Sequence, residues 1–338
     1  MSDAQLYLGR RDFLAALAGE AAALTLAPAG LFAQGKQKRR SRVRPLHTFT
    51  YKTVGPLEIK ADVYRPDDNV RRPVLLSIHG GALIMGNRGG LGGPLQELFL
   101  KAGYAVVSID YRLAPETKLP QIVEDVRDSY TWLHAKGPEL FNGDTRRIVA
   151  AGGSAGGYLT LMTGFRVTPR PAALISLWGF GDITADWESR PSEFYRKGRL
   201  VTKEEARQGV GTQPLADGFT GGRNRGRFYL YCRQQGLWPQ EVAGLDPRTQ
   251  DGSFTPYCPL RNVTKDFPPT LFLHGTKDTD VPYEQSVQVD KELARHGVEH
   301  KLIAIPNAGH GIGNGDPKLV AAAYAEAFAF ADRHVRSA

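Results

Sequence analysis

Cysteine is nearly absent from this chain: Cys232 and Cys258 are the only two in 338 residues. Two thiols permit at most one bridge, which excludes a disulfide-built scaffold. Sequence leaves open whether they are bridged or are two free buried thiols, because it does not report how closely their Cα atoms approach. No cluster of residues with metal-ligand spacing occurs. A phosphate-cradling P-loop and a dinucleotide fingerprint with its acidic partner are also missing, so no cofactor is expected. Long apolar runs are lacking too. Residues 15–32 are modestly apolar but are interrupted by Glu20 and Pro28, too broken for a comfortable transmembrane helix. There is no internal repeat and no long low-complexity tract.

What is present begins with charge. The formal net charge is +8, and 41% of residues are hydrophobic, a share that supplies a full core. Much of the basicity is local: Lys36, Lys38, Arg39, Arg40, Arg42 and Arg44 crowd one stretch. It reads as a solvated linker over 34–46, the alternative being a weak contact with an anionic envelope or polysaccharide. No basic helix interleaved with aromatics is present, so a nucleic-acid partner is not expected. Upstream, Gly9-Arg10-Arg11-Asp12-Phe13-Leu14 resembles a twin-arginine export signal. Residues 1–33 are accordingly expected to be removed, with cleavage after Ala33 or after Ala29, leaving a periplasmic or secreted protein with no stable membrane insertion. The oligomeric state is not legible.

From Val74 onward, short apolar runs alternate with amphipathic stretches. Ile122, Val126, Tyr130 and Leu133, for example, recur at helical spacing within 120–136. Strands separated by helices predict a mostly parallel sheet covered on both faces, over 47–338. A hairpin at 49–64 around Gly55-Pro56 should form one sheet edge. The alternation fails between Trp178 and Pro268. Residues 179–268, rich in Gly, Arg, Pro and aromatics, read as a cap insertion. Trp178 and Phe180 follow a strand and are candidates for lining a substrate pocket.

The chemistry concentrates at Gly152-Gly153-Ser154-Ala155-Gly156-Gly157, between an apolar strand and a helix. A serine between glycines at such a turn is what a strained nucleophile elbow needs, because a Cβ at 152 or 156 would clash where the chain reverses. Serine is a weak nucleophile at neutral pH and needs a base. His310 lies on a glycine-flanked loop after the strand 300–305, in the chain order Ser, acid, His. Of the other histidines, His274 suits a structural hydrogen bond, and His47, His134, His296, His300 and His334 suit solvated positions. Two acids compete in the turn after 270–273: Asp278 and Asp280. Asp278 comes first and lies nearer the strand end. Another turn, His79-Gly80-Gly81-Ala82, follows the strand 74–78. Its Gly81 and Ala82 N–H groups, with that of Ala155, are candidate oxyanion donors.

Together these residues resemble the α/β-hydrolase superfamily, in particular the esterase/lipase group related to hormone-sensitive lipase. His79-Gly80-Gly81 matches its HGG motif, Asp110-Tyr111-Arg112-Leu113-Ala114-Pro115-Glu116 its DYRLAPE segment, Gly153-Ser154-Ala155-Gly156-Gly157 its GDSAGG elbow, and Ala308-Gly309-His310-Gly311 its histidine loop. Two positions depart from it: Ala82 stands where many of these lipases have glycine, and Gly153 where they usually have an acid. His274-Gly275-Thr276-Lys277-Asp278-Thr279-Asp280-Val281-Pro282 looks more like the HGxxDxxVP turn of prolyl-oligopeptidase-type hydrolases and feruloyl or acetyl-xylan esterases. That pattern places the acid at Asp278. The resemblance implies an α/β-hydrolase fold with a cap and a Ser154–Asp278–His310 triad hydrolysing carboxylic esters. Short acyl groups are expected because the insertion reads as compact and polar, and acetylated or feruloylated carbohydrate is expected by analogy. An amidase or peptidase on the same fold, and a non-catalytic binding protein, are the rivals. The peptidase relatives carry a propeller ahead of the hydrolase domain, and the residues before the first core strand here are too few for one.

Overall fold

The structure, a computed structural model, describes residues 46–89 and 93–336. The export stretch and nearly all of the basic linker lie outside the described residues. The expected edge hairpin forms from β1 (His47–Val54) and β2 (Leu57–Tyr64), paired antiparallel. Then follow β3 (Arg72–Ile78), β4 (Ala105–Ile109), β5 (Gly143–Gly153), β6 (Ala173–Leu177), β7 (Thr270–Gly275) and β8 (His300–Ile305). The sheet has eight strands in the order β1-β2-β4-β3-β5-β6-β7-β8. β3 to β8 pair parallel throughout, so their carboxyl ends share one edge.

Alternation along the strands assigns side chains to two cores. Val74, Leu76 and Ile78 of β3, with Ile148 and Ala150 of β5, pack on one face with α2 (Leu119–Phe141), α3 (Ala155–Arg166) and α10 (Glu284–Arg295). Leu75, Val149 and Ala151 face the other way, against α1 (Pro94–Lys101) and α11 (Pro317–Arg336). Both faces are covered, as the alternation of elements predicts. One helix differs. α2 runs past the expected end at Lys136, through Pro138, to Phe141. Leu133, Gly137 and Phe141 continue its buried stripe, and packing there outweighs the local break signal. The helix stops at Asn142, in the left-handed conformation with φ 52°.

Between β6 and β7 the chain forms six short helices: α4 (Asp186–Ser189), α5 (Glu193–Arg196), α6 (Lys203–Gln208), α7 (Arg225–Gln235), α8 (Trp238–Ala243) and α9 (Pro247–Gln250). Helices this short are not stable alone and depend on tertiary anchors. Phe228, Trp238 and Phe254 are fully buried and supply one. Trp238 also donates its indole N–H to the Ala82 carbonyl at 2.9 Å. Arg225 is buried in an ion pair with Glu116 at 2.7 Å. Truncating a tryptophan so placed costs about 3–5 kcal/mol. Cys232 and Cys258 are both buried free thiols, which resolves the alternative left open by sequence. Among the described residues no helix is long and apolar enough to cross a membrane.

Where β5 passes into α3, the glycines are required by contact. A Cβ on Gly156 would lie 2.1 Å from the Ile78 carbonyl oxygen, and one on Gly152 would lie 2.4 Å from that of Gly156. The obstacles are backbone atoms and cannot rotate away. Gly156→Ala is therefore expected to destabilise the fold by about 3 kcal/mol, read as a lower urea midpoint at unchanged m-value.

Candidate active site

Ser154 directly follows β5 and precedes α3, with φ 57° and ψ −124°, a backbone conformation that a residue with a Cβ rarely adopts. Such strain costs about 1–3 kcal/mol and persists only where surroundings impose it. Here the Ser154 N–H donates to Leu177 O at 2.9 Å, and Ser154 O accepts from Tyr158 N–H at 3.0 Å, opening α3. The side chain is thereby raised off the sheet at its carboxyl edge. Gly153, where the resemblance expects an acid, has a physical reason to be glycine: a Cβ there would lie 3.1 Å from the Trp178 indole nitrogen. Trp178 itself has φ 39° and takes up the space beside the elbow.

The acid turn and the histidine loop follow β7 and β8 and are laced together. Thr276 N–H donates to Ile305 O at 3.0 Å and Lys277 N–H to Ala308 O at 2.9 Å. Asn307 N–H donates to Thr276 Oγ1 at 2.9 Å. This lacing holds His310 Nδ1 2.8 Å from Asp278 Oδ2. The same oxygen meets His274 Nε2 at 3.2 Å, while Oδ1 accepts the N–H groups of Asp280 and Val281, each at 2.9 Å. Burial alone would push the Asp278 carboxyl up. The bonds from His274 and His310 outweigh it and hold this carboxyl well below the usual range. His274 is thus the structural histidine expected from sequence, and the group it serves is Asp278. For His310, burial depresses the imidazole, but Asp280 and the bond to Asp278 raise it above its ordinary value.

The His79 turn abuts the elbow. A Cβ on Gly80 would lie 2.7 Å from Gly153 O and 3.4 Å from Ser154 Cβ. Gly81, Ala82 and Leu83 all have positive φ, at 111°, 57° and 59°. Among the described residues, the N–H groups of Gly81, Ala82 and Ala155 donate to no other group. His79 stacks on Tyr111 with ring centroids 4.1 Å apart, and Tyr111 O–H donates to His79 O at 2.8 Å. Burial pushes the His79 imidazole down to about 4, so it is neutral at pH 7. Asp110 accepts Arg88 N–H at 2.7 Å and pairs with the Arg88 guanidinium. The Asp110–Glu116 segment is therefore a brace: Asp110 and Tyr111 pin the turn, and Glu116 pins Arg225.

Two candidate pocket residues separate. Trp178 is half-buried, with its ring 6.4 Å from that of His310. Phe180 does not line an open pocket. It is 2% exposed, stacked 4.8 Å from Tyr158 and packed against Trp187 and Trp238. As an apolar ring meeting buried rings on two sides, it belongs to the core.

Comparison with known proteins meets this geometry from several sides. The BD-FAE family model matches residues 61–171, and the prolyl oligopeptidase family model matches residues 231–338. A non-reducing polyketide synthase of Stereocaulon alpinum is 28% identical over 303 residues, covering 79% of this chain and 12% of the synthase. The chain spans only about an eighth of the length of the curated relatives it matches. Among solved structures, an α/β-hydrolase superfamily protein from Enterococcus faecalis superimposes with TM-score 0.63 at 24% identity, covering 82% of this chain and 96% of that one. The chain has the α/β-hydrolase fold. Another structure of similar form is esterase 2 of Thermogutta terrifontis phosphonylated by cyclosarin, with TM-score 0.57, 20% identity, and 85% and 93% of the two chains covered.

On this α/β-hydrolase fold, sequence reasoning overlooked one group beside His310. Asp280, weighed only as a rival acid, lies with Oδ2 3.4 Å from His310 Nε2, across the ring from Asp278. Its other partners are Tyr195, Tyr229 and Arg233, all in the cap. A buried arginine among aromatics was the available signal, but only folding brings residues 195, 229 and 233 to position 280.

The Asp278 carboxyl has a pH consequence. Its pKa is lowered in the folded state, so it contributes stability above about pH 4, the ordinary aspartate value, and that contribution drains as pH falls toward the folded value. Urea unfolding between pH 5 and about pH 2 should show a steeper loss in the wild type than in Asp278→Asn, which has no such carboxyl to protonate.

Proposed function

We propose that this chain is a serine carboxylic-ester hydrolase, exported from the cytoplasm, whose triad is Ser154, His310 and Asp278. One juxtaposition carries the reading: a strained serine at the end of β5 and a histidine–carboxylate pair after β8 and β7, all on one sheet edge. Ser154 Oγ attacks the ester carbonyl and His310 Nε2 takes its proton. Asp278, satisfied by four donors, fixes the ring through Nδ1 and stabilises the imidazolium that forms. The N–H groups of Gly81, Ala82 and Ala155 hold the developing alkoxide, each such donor contributing about 3 kcal/mol. His310 then protonates the leaving alcohol and activates water to release the acid. No cofactor takes part.

The esterase likeness and the BD-FAE match support an ester as substrate. Short acyl groups are the proposed substrates, and an acetylated or feruloylated carbohydrate is the proposed natural class. A second reading, amide or peptide hydrolysis, is favoured by the prolyl oligopeptidase match over 231–338. A matched ester and anilide separates the two by leaving group.

Hydrolysis of p-nitrophenyl acetate, butyrate, octanoate and laurate tests the proposal. Turnover should fall with chain length and vanish in Ser154→Ala, which should remain folded. Asp278→Asn should lower kcat by about 10⁴-fold. A fluorophosphonate probe should label the wild type and leave Ser154→Ala unlabelled. A wild-type chain that neither turns over esters nor takes the label would remove the hydrolase reading.

A further inference from the structure

His310 stands between two carboxylates. Nδ1 lies 2.8 Å from Asp278 Oδ2 and Nε2 lies 3.4 Å from Asp280 Oδ2. No hydrogen bond joins Ser154 Oγ to His310 among the described residues. A neutral imidazole carries one N–H. With that proton on Nδ1 toward Asp278, the neutral ring would leave the Nε2 lone pair 3.4 Å from a carboxylate oxygen, with no positive charge to offset it. An imidazolium carries a proton on each nitrogen: Nδ1 donates to Asp278, and the positive ring stands 3.4 Å from the Asp280 carboxylate, a contact of charge rather than an aligned hydrogen bond.

Asp280 is not free to turn away. Its Oδ1 accepts Tyr195 O–H at 2.8 Å, Tyr229 O–H, and Arg233 Nη1 at 2.6 Å. Those three side chains come from α5 and α7 of the cap, and all are buried. Arg233 is in turn held within the rings of Trp187, Tyr195 and Tyr229, at 5.1, 5.0 and 5.7 Å from their centroids. These contacts therefore hold one carboxylate oxygen 3.4 Å from the nitrogen that must receive the Ser154 proton.

We infer that Asp280 is a positioning residue through which the cap holds His310 as an imidazolium between two carboxylates, so that Ser154 gains its base only when the Nε2 proton is lost to solvent. This rests on the hydrolase reading above. Loss of that one proton restores the Nε2 lone pair; the ring then accepts the proton of Ser154 Oγ as the ester is attacked. The groups facing His310 are Asp278 and Asp280 from the acid turn and the Trp178 ring from the end of β6. Arg233 and Glu188 lie behind Asp280, and His274 behind Asp278. Arg233 opposes the charged ring, yet the ring is raised overall, with Asp280 the largest raising influence and burial the largest lowering one.

The test is the pH profile of kcat/KM on p-nitrophenyl acetate for the wild type and Asp280→Asn, which removes a negative charge and leaves Arg233 in place. The wild-type acid limb should have its midpoint above the ordinary histidine value of about 6.5. In Asp280→Asn the midpoint should fall by about one pH unit. One unit below the wild-type midpoint, the rate relative to plateau should then rise about fivefold. An unmoved or raised midpoint overturns the inference.

Asp280→Asn leaves Arg233 buried beside a neutral group, and that variant could fail to fold. Nitrogen-15 NMR of the wild-type His310 imidazole is the second arm: both ring nitrogens should carry protons at pH 6.5, and a single N–H overturns the inference. The NMR arm needs no turnover. A doubly protonated ring in a chain that neither hydrolyses esters nor takes the fluorophosphonate label would sink the hydrolase reading and leave the clamp standing.

Discussion

The Asp278 side chain has no exposed surface, and a carboxylate removed from water persists only where hydrogen bonds replace its hydration. Two backbone N–H groups and two imidazoles supply them. The four donors come from three parts of the fold: the turn itself supplies both N–H groups, the end of β7 supplies His274, and the loop after β8 supplies His310. The acid turn can close only if β7 and β8 are paired in register, and His310 can be oriented only if that turn is closed. The charge that orients the base is therefore a product of the sheet, and the geometry of the whole edge depends on it.

Close backbone approach is the second requirement. The His79 turn, the Ser154 elbow and the end of β6 meet with so little room that Gly80, Gly152, Gly156 and Gly179 all face neighbouring atoms where a Cβ would sit, at 2.7, 2.4, 2.1 and 2.4 Å respectively. The positive φ values from Gly81 to Leu83 turn the chain sharply beside Ser154, and Asp110 and Tyr111 brace that turn from the neighbouring strand's end. Strain at Ser154 and at the His79 turn is distributed over this packed layer. The layer thus combines rigidity with exposure of a single hydroxyl.

The 179–268 insertion is tied to the site at several places, three of them through side chains. Trp238 reaches the Ala82 carbonyl, Arg225 reaches Glu116, and the Tyr195–Tyr229–Arg233 group reaches Asp280. Its short helices draw their stability from these contacts and from their own buried aromatics. A change in this insertion would consequently be felt at the His79 turn and at His310.

Local sequence determined a good deal. Short apolar runs and helical spacing marked strands and helices in order, and the glycine-flanked Ser154, the His79 turn and the His310 loop each carried their signal within a few residues. Gly152 and Gly156 were legible because the turn they serve is local. Other features were decided by tertiary structure. The end of α2 follows the burial of Phe141, which outweighs Gly137 and Pro138. Phe180 belongs to the core because Tyr158, Trp187 and Trp238 surround it. A Cβ at Gly153 would press on the Trp178 ring, and Asp280 lies beside His310 with Tyr195, Tyr229 and Arg233 on its other side. In each case the deciding partner is distant in the chain, and the forces involved, packing and charge, act through space.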